Sequence, residues 1–479
     1  MLVIYNSADD RKQKFQPLKK NIVSLYLCGP TVQSYPHIGH IRSAISFDII
    51  VRWLRFLGFK VLYIRNITDI NDKIFAKAQV DSLAWWEVAS KYANAFRDAY
   101  KVLGCLDPTY EPLASAHISQ MIDLVAKILD KGKAYIVQDG IYFDTVSYKD
   151  YGQLTNQINQ KTLMDEEEHS QYKRNSRDFA LWKFTNSQNK QVYPVYKSPW
   201  GQGRPGWHLE CSAMAKTYLG QSFDIHGGGL DLRFPHHENE QAQSRSVGYG
   251  FAKSWLHTAW VTQKGTKMSK SLGNGLLVKD ILQKTTPLVL RFSLGSSHYR
   301  SQIEWSDETL VQSNNSLRNI IKFVEKLTQK YNKLDIDFKL TVAEDFAEAM
   351  NDDFNVPLAL SVLYKQIKKA LKEFDESRQI NSKLPNFQLT DLEKYILSEL
   401  NILGFNPLSK IWQNNSLAEK DNIKYKTVLE NLVKFDLSKR IKAKQIGDFQ
   451  QADAVRDRLT AAGLNLEDKP NNKTEWYIK

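Results

Sequence analysis

His37-Ile38-Gly39-His40 sets two imidazoles around a glycine, a little after the chain has turned at Gly29-Pro30. If a helix starts there, its free N–H groups and dipole favour a phosphate, the imidazoles can donate to phosphate oxygens, and Gly39 lets a nucleotide base approach the backbone. Alone, such a string is more often a pair of satisfied surface or core histidines. The second basic segment shifts that balance. Lys267-Met268-Ser269-Lys270-Ser271 lies between Gly265 and Gly273, whose glycines permit movement, although by itself it reads as a solvated lysine turn. Taken together, the two segments describe a nucleotide site. His37, Gly39, His40, Lys267, Ser269 and Lys270 hold ATP in this reading, and His37, His40, Lys267 and Lys270 are the catalytic candidates. Both ammonium groups would meet the charge that develops as pyrophosphate leaves, typically the largest catalytic term. The matching reaction is attack of a carboxylate on the α-phosphate.

Cys28, Cys105 and Cys211 are too few and too scattered for a disulfide framework in 479 residues, which leaves free thiols or metal ligands. A lone buried cysteine is usually a small core residue. Pro235 is well placed to open a helix, which would put His236 and Glu240 on one face; His237 with Glu240 or Gln241 is an alternative at the same geometric level.

These side chains need a scaffold. Ile22 to Cys28 has a strand pattern, Ile41 to Leu57 carries apolar residues at helical spacing with Gly58 as its stop, and Val61 to Ile67 reads as a strand again. Strand, helix, strand in this order is a right-handed βαβ unit of a parallel sheet, with ligands beyond the strands' carboxyl ends. The segment from about 107 to 202 reads as an insertion, with a polar stretch Asp165 to Asp178 of little periodicity. Phe223 to Phe234 resumes strand-like, turn-rich sequence. Thr309 to Tyr331 and Phe346 to Phe374 are expected as long amphipathic helices of a bundle, and a small unit from about Ser438 contains a helix through Asp448 to Ala462.

At this point the chain resembles the class I aminoacyl-tRNA synthetases, and within them the cysteinyl-tRNA synthetase family. The blocks that carry the resemblance are Leu27 to Val32, Arg65 to Ile70, Gly203 to Ser212, Phe223 to Gly229 and Phe234 to Glu240, together with the two nucleotide segments. It implies a Rossmann-like, doubly wound α/β catalytic domain with an inserted α/β segment, a helical bundle and a small C-terminal anticodon-binding domain. The domain boundaries expected are 1–110, 111–202, 203–283, 284–315, 316–400 and 401–479. By the same resemblance Cys28, Cys211, His236 and Glu240 are the metal ligands, and that sulfur, nitrogen and oxygen set suits one Zn2+ per chain. Gly29, Thr68, Trp207, His226 and Asp231 would surround L-cysteine. The resemblance also implies ATP with Mg2+ as substrate and tRNA(Cys) as acceptor. Gln33 stands where the family usually has tyrosine, and Asn71 where it often has aspartate.

A metal held near the nucleotide loop could take the substrate thiol as a further ligand, reading a soft, ionisable sulfur that serine and alanine lack. Such a dedicated contact replaces editing, so no editing domain is expected. The formal charge of +12 fits an anionic partner, and both halves of the chain contribute to it. Arg440, Lys444 and Trp476 are candidates for RNA contact. The N-terminus lacks a secretory pattern and no window is apolar enough to cross a membrane, so a cytoplasmic location is expected; a monomer is expected as well. Two rivals use the same sequence. One joins activated cysteine to a small amino sugar, against which the long helical C-terminal half speaks; the other is a zinc-bearing RNA-binding protein without catalysis, against which the intact nucleotide residues speak.

Overall fold

The computed structural model describes the chain except residues 156–169, 186–192, 264, 268–275, 332–337, 380–388, 413–432, 470–472 and 479. It forms two compact units, Met1–Ser409 and Lys410–Lys479. Among the described residues no helix is long and apolar enough to cross a membrane.

The larger unit opens with a hairpin, β1 (Val3–Asn6) and β2 (Arg11–Lys14). Then follow β3 (Ile22–Leu27), α1 (Ile38–Phe56), β4 (Lys60–Arg65), α2 (Asp72–Asp81), α3 (Trp85–Val102) and α4 (Ile118–Asp130). The βαβ expectation holds, because β3 and β4 pair in parallel from Ile22 opposite Lys60 to Leu27 opposite Arg65. Asn71 caps α2 through a 3.0 Å bond accepted from the Lys73 N–H, a task asparagine performs as well as aspartate. That departure from the family pattern is therefore locally silent.

The inserted segment builds an antiparallel sheet: β5 (Ala134–Ile136), β6 (Gly140–Phe143), β7 (Phe179–Phe184), β8 (Tyr196–Ser198) and β9 (Gly201–Pro205), in the order β5-β6-β7-β9-β8. From its last strand the chain passes into α5 (Trp207–Leu219), β10 (Ser222–Gly229), a wide turn at Arg233–His237, α6 (Glu238–Ser246) and β11 (Phe251–Thr258). Pro235 thus lies inside the turn and not at the first position of the helix, and α6 itself begins three residues later. The catalytic sheet is parallel throughout, ordered β11-β10-β3-β4, with the late strand β10 next to the early strand β3.

Strand alternation decides which side chain faces which layer. In β3, Val23, Leu25 and Leu27 enter the core shared with α1 and the bundle, whereas Tyr26 and the following Cys28 turn to the opposite core, beside α5. Short strands β12 (Val261–Gln263) and β13 (Thr266–Lys267) precede α7 (Val278–Ile281), α8 (Pro287–Gly295) and β14 (Ile303–Glu304). The bundle comprises α9 (Asp307–Lys330), α10 (Glu344–Asn351), α11 (Val356–Gln379) and α12 (Asp391–Leu403).

One helix expected from Phe346 to Phe374 is broken in two. Asp353 and Phe354 adopt left-handed backbone (φ 58° and 54°), and the fully buried Asp353 carboxylate is occupied by the Tyr5 N–H, the Tyr299 hydroxyl and Arg300. These long-range bonds outweigh the helical periodicity, which runs unbroken through the sequence.

A second buried carboxylate ties the catalytic half to the bundle. Asp48 on α1 pairs with Arg291 on α8, and the same guanidinium donates to the carbonyls of Leu103 and Leu403. Burial alone would raise the Asp48 carboxyl, but Arg52 and Arg291 draw it below its ordinary value. A group depressed in the folded state stabilises above its unfolded pKa of about 4, and that stability disappears as pH falls through the folded value. Asp48→Asn is expected to lower the urea-unfolding free energy at pH 7 by about 3–5 kcal/mol, since it strands a buried guanidinium. The difference between parent and variant should narrow below about pH 4; a constant gap would show that the pair carries no charge-dependent stability.

In the smaller unit, Val433, Leu437, Val455, Leu459 and Leu464 form a core between helical segments and a hairpin, β15 (Leu464–Lys469) with β16 (Lys473–Ile478). The helix expected over Asp448 to Ala462 is observed at Phe449–Ala461. Arg440 is buried and donates to the Thr474 hydroxyl, so it serves this fold and is no exposed phosphate contact.

Candidate functional site

Four elements meet at the carboxyl end of β3. Cys28 directly follows the strand, Cys211 sits one turn into α5, and His236 and Glu240 come from the wide turn and α6. One donor atom from each of Cys28, Cys211, His236 and Glu240 lies within 4.8 Å of all the others. The Cys28 and Cys211 sulfurs are 3.6 Å apart, Cys28 Sγ is 3.5 Å from Glu240 Oε1, and His236 Nε2 is 3.0 Å from the same oxygen. Tetrahedral bonds to zinc would separate sulfur, nitrogen and oxygen donors by about 3.3–3.8 Å, so the set fits such an ion. Burial pushes both thiols up and holds His236 neutral, so a cation entering here must displace thiol protons while finding a ready imidazole.

The alternative pairing of His237 with Glu240 survives as well. Cys28, His226, His237 and Glu240 are equally compact, but they share two members with the first set and bring only one sulfur. His226 Nε2 contacts Glu240 Oε2 at 2.8 Å, and His237 Nδ1 meets His257 Nε2 at 2.9 Å. Desolvation keeps His237 and His257 uncharged, the latter lowered to about 3.

Supporting contacts surround the first set. His208 Nδ1 lies 2.9 Å from His236 Nδ1, which fixes the ring so that Nε2 faces Glu240. Asn66 Oδ1 accepts from the Gly29 N–H at 2.9 Å, and its amide nitrogen donates to Thr68 Oγ1 at 3.3 Å. A Cβ on Gly29 would fall 1.6 Å from the Asn66 carbonyl oxygen, so only glycine fits there. Helix α6 is almost entirely polar and yet buried, an arrangement that apolar periodicity cannot reveal.

The residues expected around the amino acid fall on this cluster unevenly. Trp207 lies flat on His236, ring centroids 4.3 Å apart; Thr68 is buried next to Asn66; His226 touches Glu240. Asp231 stands in the short turn after β10 and is exposed. Sequence reasoning missed His208, His257 and Asn66. Half of the chain's ten histidines fall between His208 and His257, a density that could have pointed to them.

The nucleotide residues lie further along the same loop. His37 is the N-cap of α1, its N–H donates to His40 Nδ1 at 3.3 Å, and the two rings stack with centroids 3.6 Å apart. Gly39 keeps this stack open, since a Cβ there would meet the His37 ring at 3.0 Å. Leu277 forms an antiparallel bridge with His37, backed by bonds from the Ile38 N–H to Leu276 and from the Val278 N–H to Pro36. Residues 276–278, downstream of the second segment, are thereby fastened to the first. Lys267 occupies β13 opposite Thr262. Ser269 and Lys270 lie outside the described residues.

Comparison with known proteins agrees with this arrangement. The family described as tRNA synthetases class I (C) catalytic domain matches residues 14–316, and the DALR domain matches 345–403. A protein of Streptomyces avermitilis named "Cysteine--tRNA ligase" is 42% identical over 477 residues, covering 99% of this chain and 98% of its own. One of the same name from Beutenbergia cavernae is 44% identical over 489 residues, covering 100% and 99%. Among solved structures, Mycobacterium tuberculosis methionyl-tRNA synthetase in complex with methionyl-adenylate has a TM-score of 0.57 at 13% identity, covering 81% of this chain and 90% of that one, a likeness of fold. With its parallel sheet, its inserted sheet and its DALR helices, this chain belongs to the cysteine–tRNA ligase family of class I aminoacyl-tRNA synthetases.

Proposed function

We propose that the chain attaches L-cysteine to tRNA(Cys) through a cysteinyl-adenylate, with zinc on Cys28, Cys211, His236 and Glu240 recognising the substrate thiol. The observation that carries this reading is one of placement: a zinc-compatible cluster lies at the end of β3, and the next helix presents His37 and His40, with Leu277, downstream of the lysine segment, bridged to His37. When bound, zinc supplies a Lewis acid able to take a thiolate as a further ligand. The chain's own groups do the rest. Trp207 walls the cluster, His226 orients Glu240 and Thr68 offers a hydroxyl to the amino acid, while Asp231 is positioned for its α-amino group. His37, Gly39, His40, Lys267, Ser269 and Lys270 hold ATP as its magnesium complex, and His37 and His40 donate to its phosphates. The segment boundaries 111–202 and 284–315 delimit regions that serve the acceptor end and stem of the tRNA, and 401–479 its anticodon. A cytoplasmic monomer completes the reading.

The test is amino-acid-dependent exchange of pyrophosphate into ATP with cysteine and serine, before and after zinc removal by a chelator. Cysteine should support exchange at least about 10⁴-fold better than serine, and chelation should abolish the preference together with the activity. Full activity in metal-free protein would refute the zinc role. Aminoacylation of purified tRNA then separates this enzyme from one acting on an amino sugar.

A further inference from the structure

We propose that Glu304 is a positioning residue for Lys267, holding in place the short hairpin whose second strand contains this lysine; the inference rests on the nucleotide role given to Lys267 above. Three strands define the arrangement. β12 lies between β13 and β14, and Thr262 is the shared residue, opposite Lys267 on one side and Glu304 on the other. The Glu304 carboxylate grips this hairpin at two points. Its Oε2 accepts from the Thr262 hydroxyl at 2.5 Å, and its Oε1 accepts from the Gly265 N–H at 3.2 Å.

Each contact lies where displacement matters. Gly265 is the left-handed residue (φ 71°) of the turn between β12 and β13, and Thr262 is the residue whose backbone sets the register of Lys267. A two-residue strand has little hydrogen bonding of its own to fix it, so one carboxylate spanning turn and register is a large share of its restraint. Gln302 adds a bond from its side-chain amide to Thr262 Oγ1 at 2.9 Å, which orients the hydroxyl toward Glu304. Glu304 is itself rigidly presented. The Ile303 and Trp305 N–H groups bond to the carbonyls of Trp260 and Thr262, and both side chains are buried.

The carboxylate is exposed and distant in role from the thiol site, so its removal should leave folding and metal binding alone while loosening the lysine's starting position. A displacement of about 1 Å at a catalytic group is enough to cost up to about a hundredfold in rate. The test uses the full chain with its zinc, in cysteine-dependent ATP–pyrophosphate exchange. Glu304→Ala should lower kcat by about ten- to a hundredfold with the KM for cysteine and the zinc content unchanged, and Glu304→Gln, which can still accept from Gly265, should recover most of it. The deciding measurement is a double-mutant cycle. In a Lys267→Ala background, Glu304→Ala should have no further effect, because the group it positions is gone. Independent, multiplying losses would overturn the inference, as would an unchanged kcat in Glu304→Ala. If Lys267→Ala alone leaves exchange intact, the nucleotide role of Lys267 fails and this inference falls with it, an outcome distinct from the other two.

Discussion

Cys211→Ser is expected to reduce cysteine-dependent ATP–pyrophosphate exchange by about three orders of magnitude while leaving the protein folded. The two side chains are nearly equal in volume, and Cys211 is buried in a core that also contains Tyr26, Leu209 and Met214. The cost in stability is therefore that of one buried sulfur, about 1 kcal/mol. The cost to chemistry is larger. A hydroxyl is a poor partner for a soft cation, and Cys28 Sγ, 3.6 Å away, would lose the neighbour that makes the cluster a thiolate site. Zinc content, exchange rate and melting temperature measured on one preparation decide the matter. A loss of stability in step with the loss of activity would make the metal structural; exchange within tenfold of the parent would remove Cys211 from the ligand set.

Replacing either lysine of the second nucleotide segment should produce the opposite signature. Lys267→Ala and Lys270→Ala are each expected to lower kcat for exchange by about 10²–10³, the usual cost of deleting one group aimed at transition-state charge. Zinc content and the KM for cysteine should not change, because the thiol cluster ends β3 and the lysine segment follows β12. Single-turnover formation of the adenylate isolates the chemical step. A variant whose KM for ATP rises while kcat holds would show that the lysine binds ATP equally in the ground and transition states and does not act on the chemical step.

Periodicity located what periodicity builds. The apolar spacing from Ile41 to Leu57 and the run from Ile22 to Cys28 correspond to α1 and β3, because both elements bury most of their apolar side chains, β3 into a core on each side of the sheet. The same logic failed at Asp353. There the helical spacing continues, but a carboxylate buried against Tyr5, Tyr299 and Arg300 turns the chain, and those partners lie far off in sequence. It failed again at α6, whose buried face is made of Glu238, Asn239, Glu240, Gln241 and Gln243. A polar helix in a core depends on partners supplied in three dimensions, as Glu238 finds in the Gly152 N–H and Asn239 in the Tyr151 hydroxyl.

The site was legible in a similar measure. Residue type and motif pointed to His37, His40 and the lysine segment, and resemblance supplied the ligand set. The structure brings Cys28, Cys211, His236 and Glu240 together and places Trp207, Thr68 and His226 beside them. Asp231 stands exposed after β10. The supporting histidines and Asn66 were hidden because an outer contact needs only a hydrogen bond at the right place, and many residue types could provide one.

The order of strands in the catalytic sheet has a consequence for biosynthesis. Cys28 and Cys211 are 183 positions apart, and β10, the neighbour that completes one edge of β3, is translated later still. At about 5–20 residues per second, a nascent chain waits about 10–40 s between emergence of the first thiol and of its partner. Throughout that interval the ribosome-bound intermediate carries an open strand edge and an unprotected thiol. Oxidation or mispairing in the cell should therefore strike this protein during its manufacture more readily than after its release.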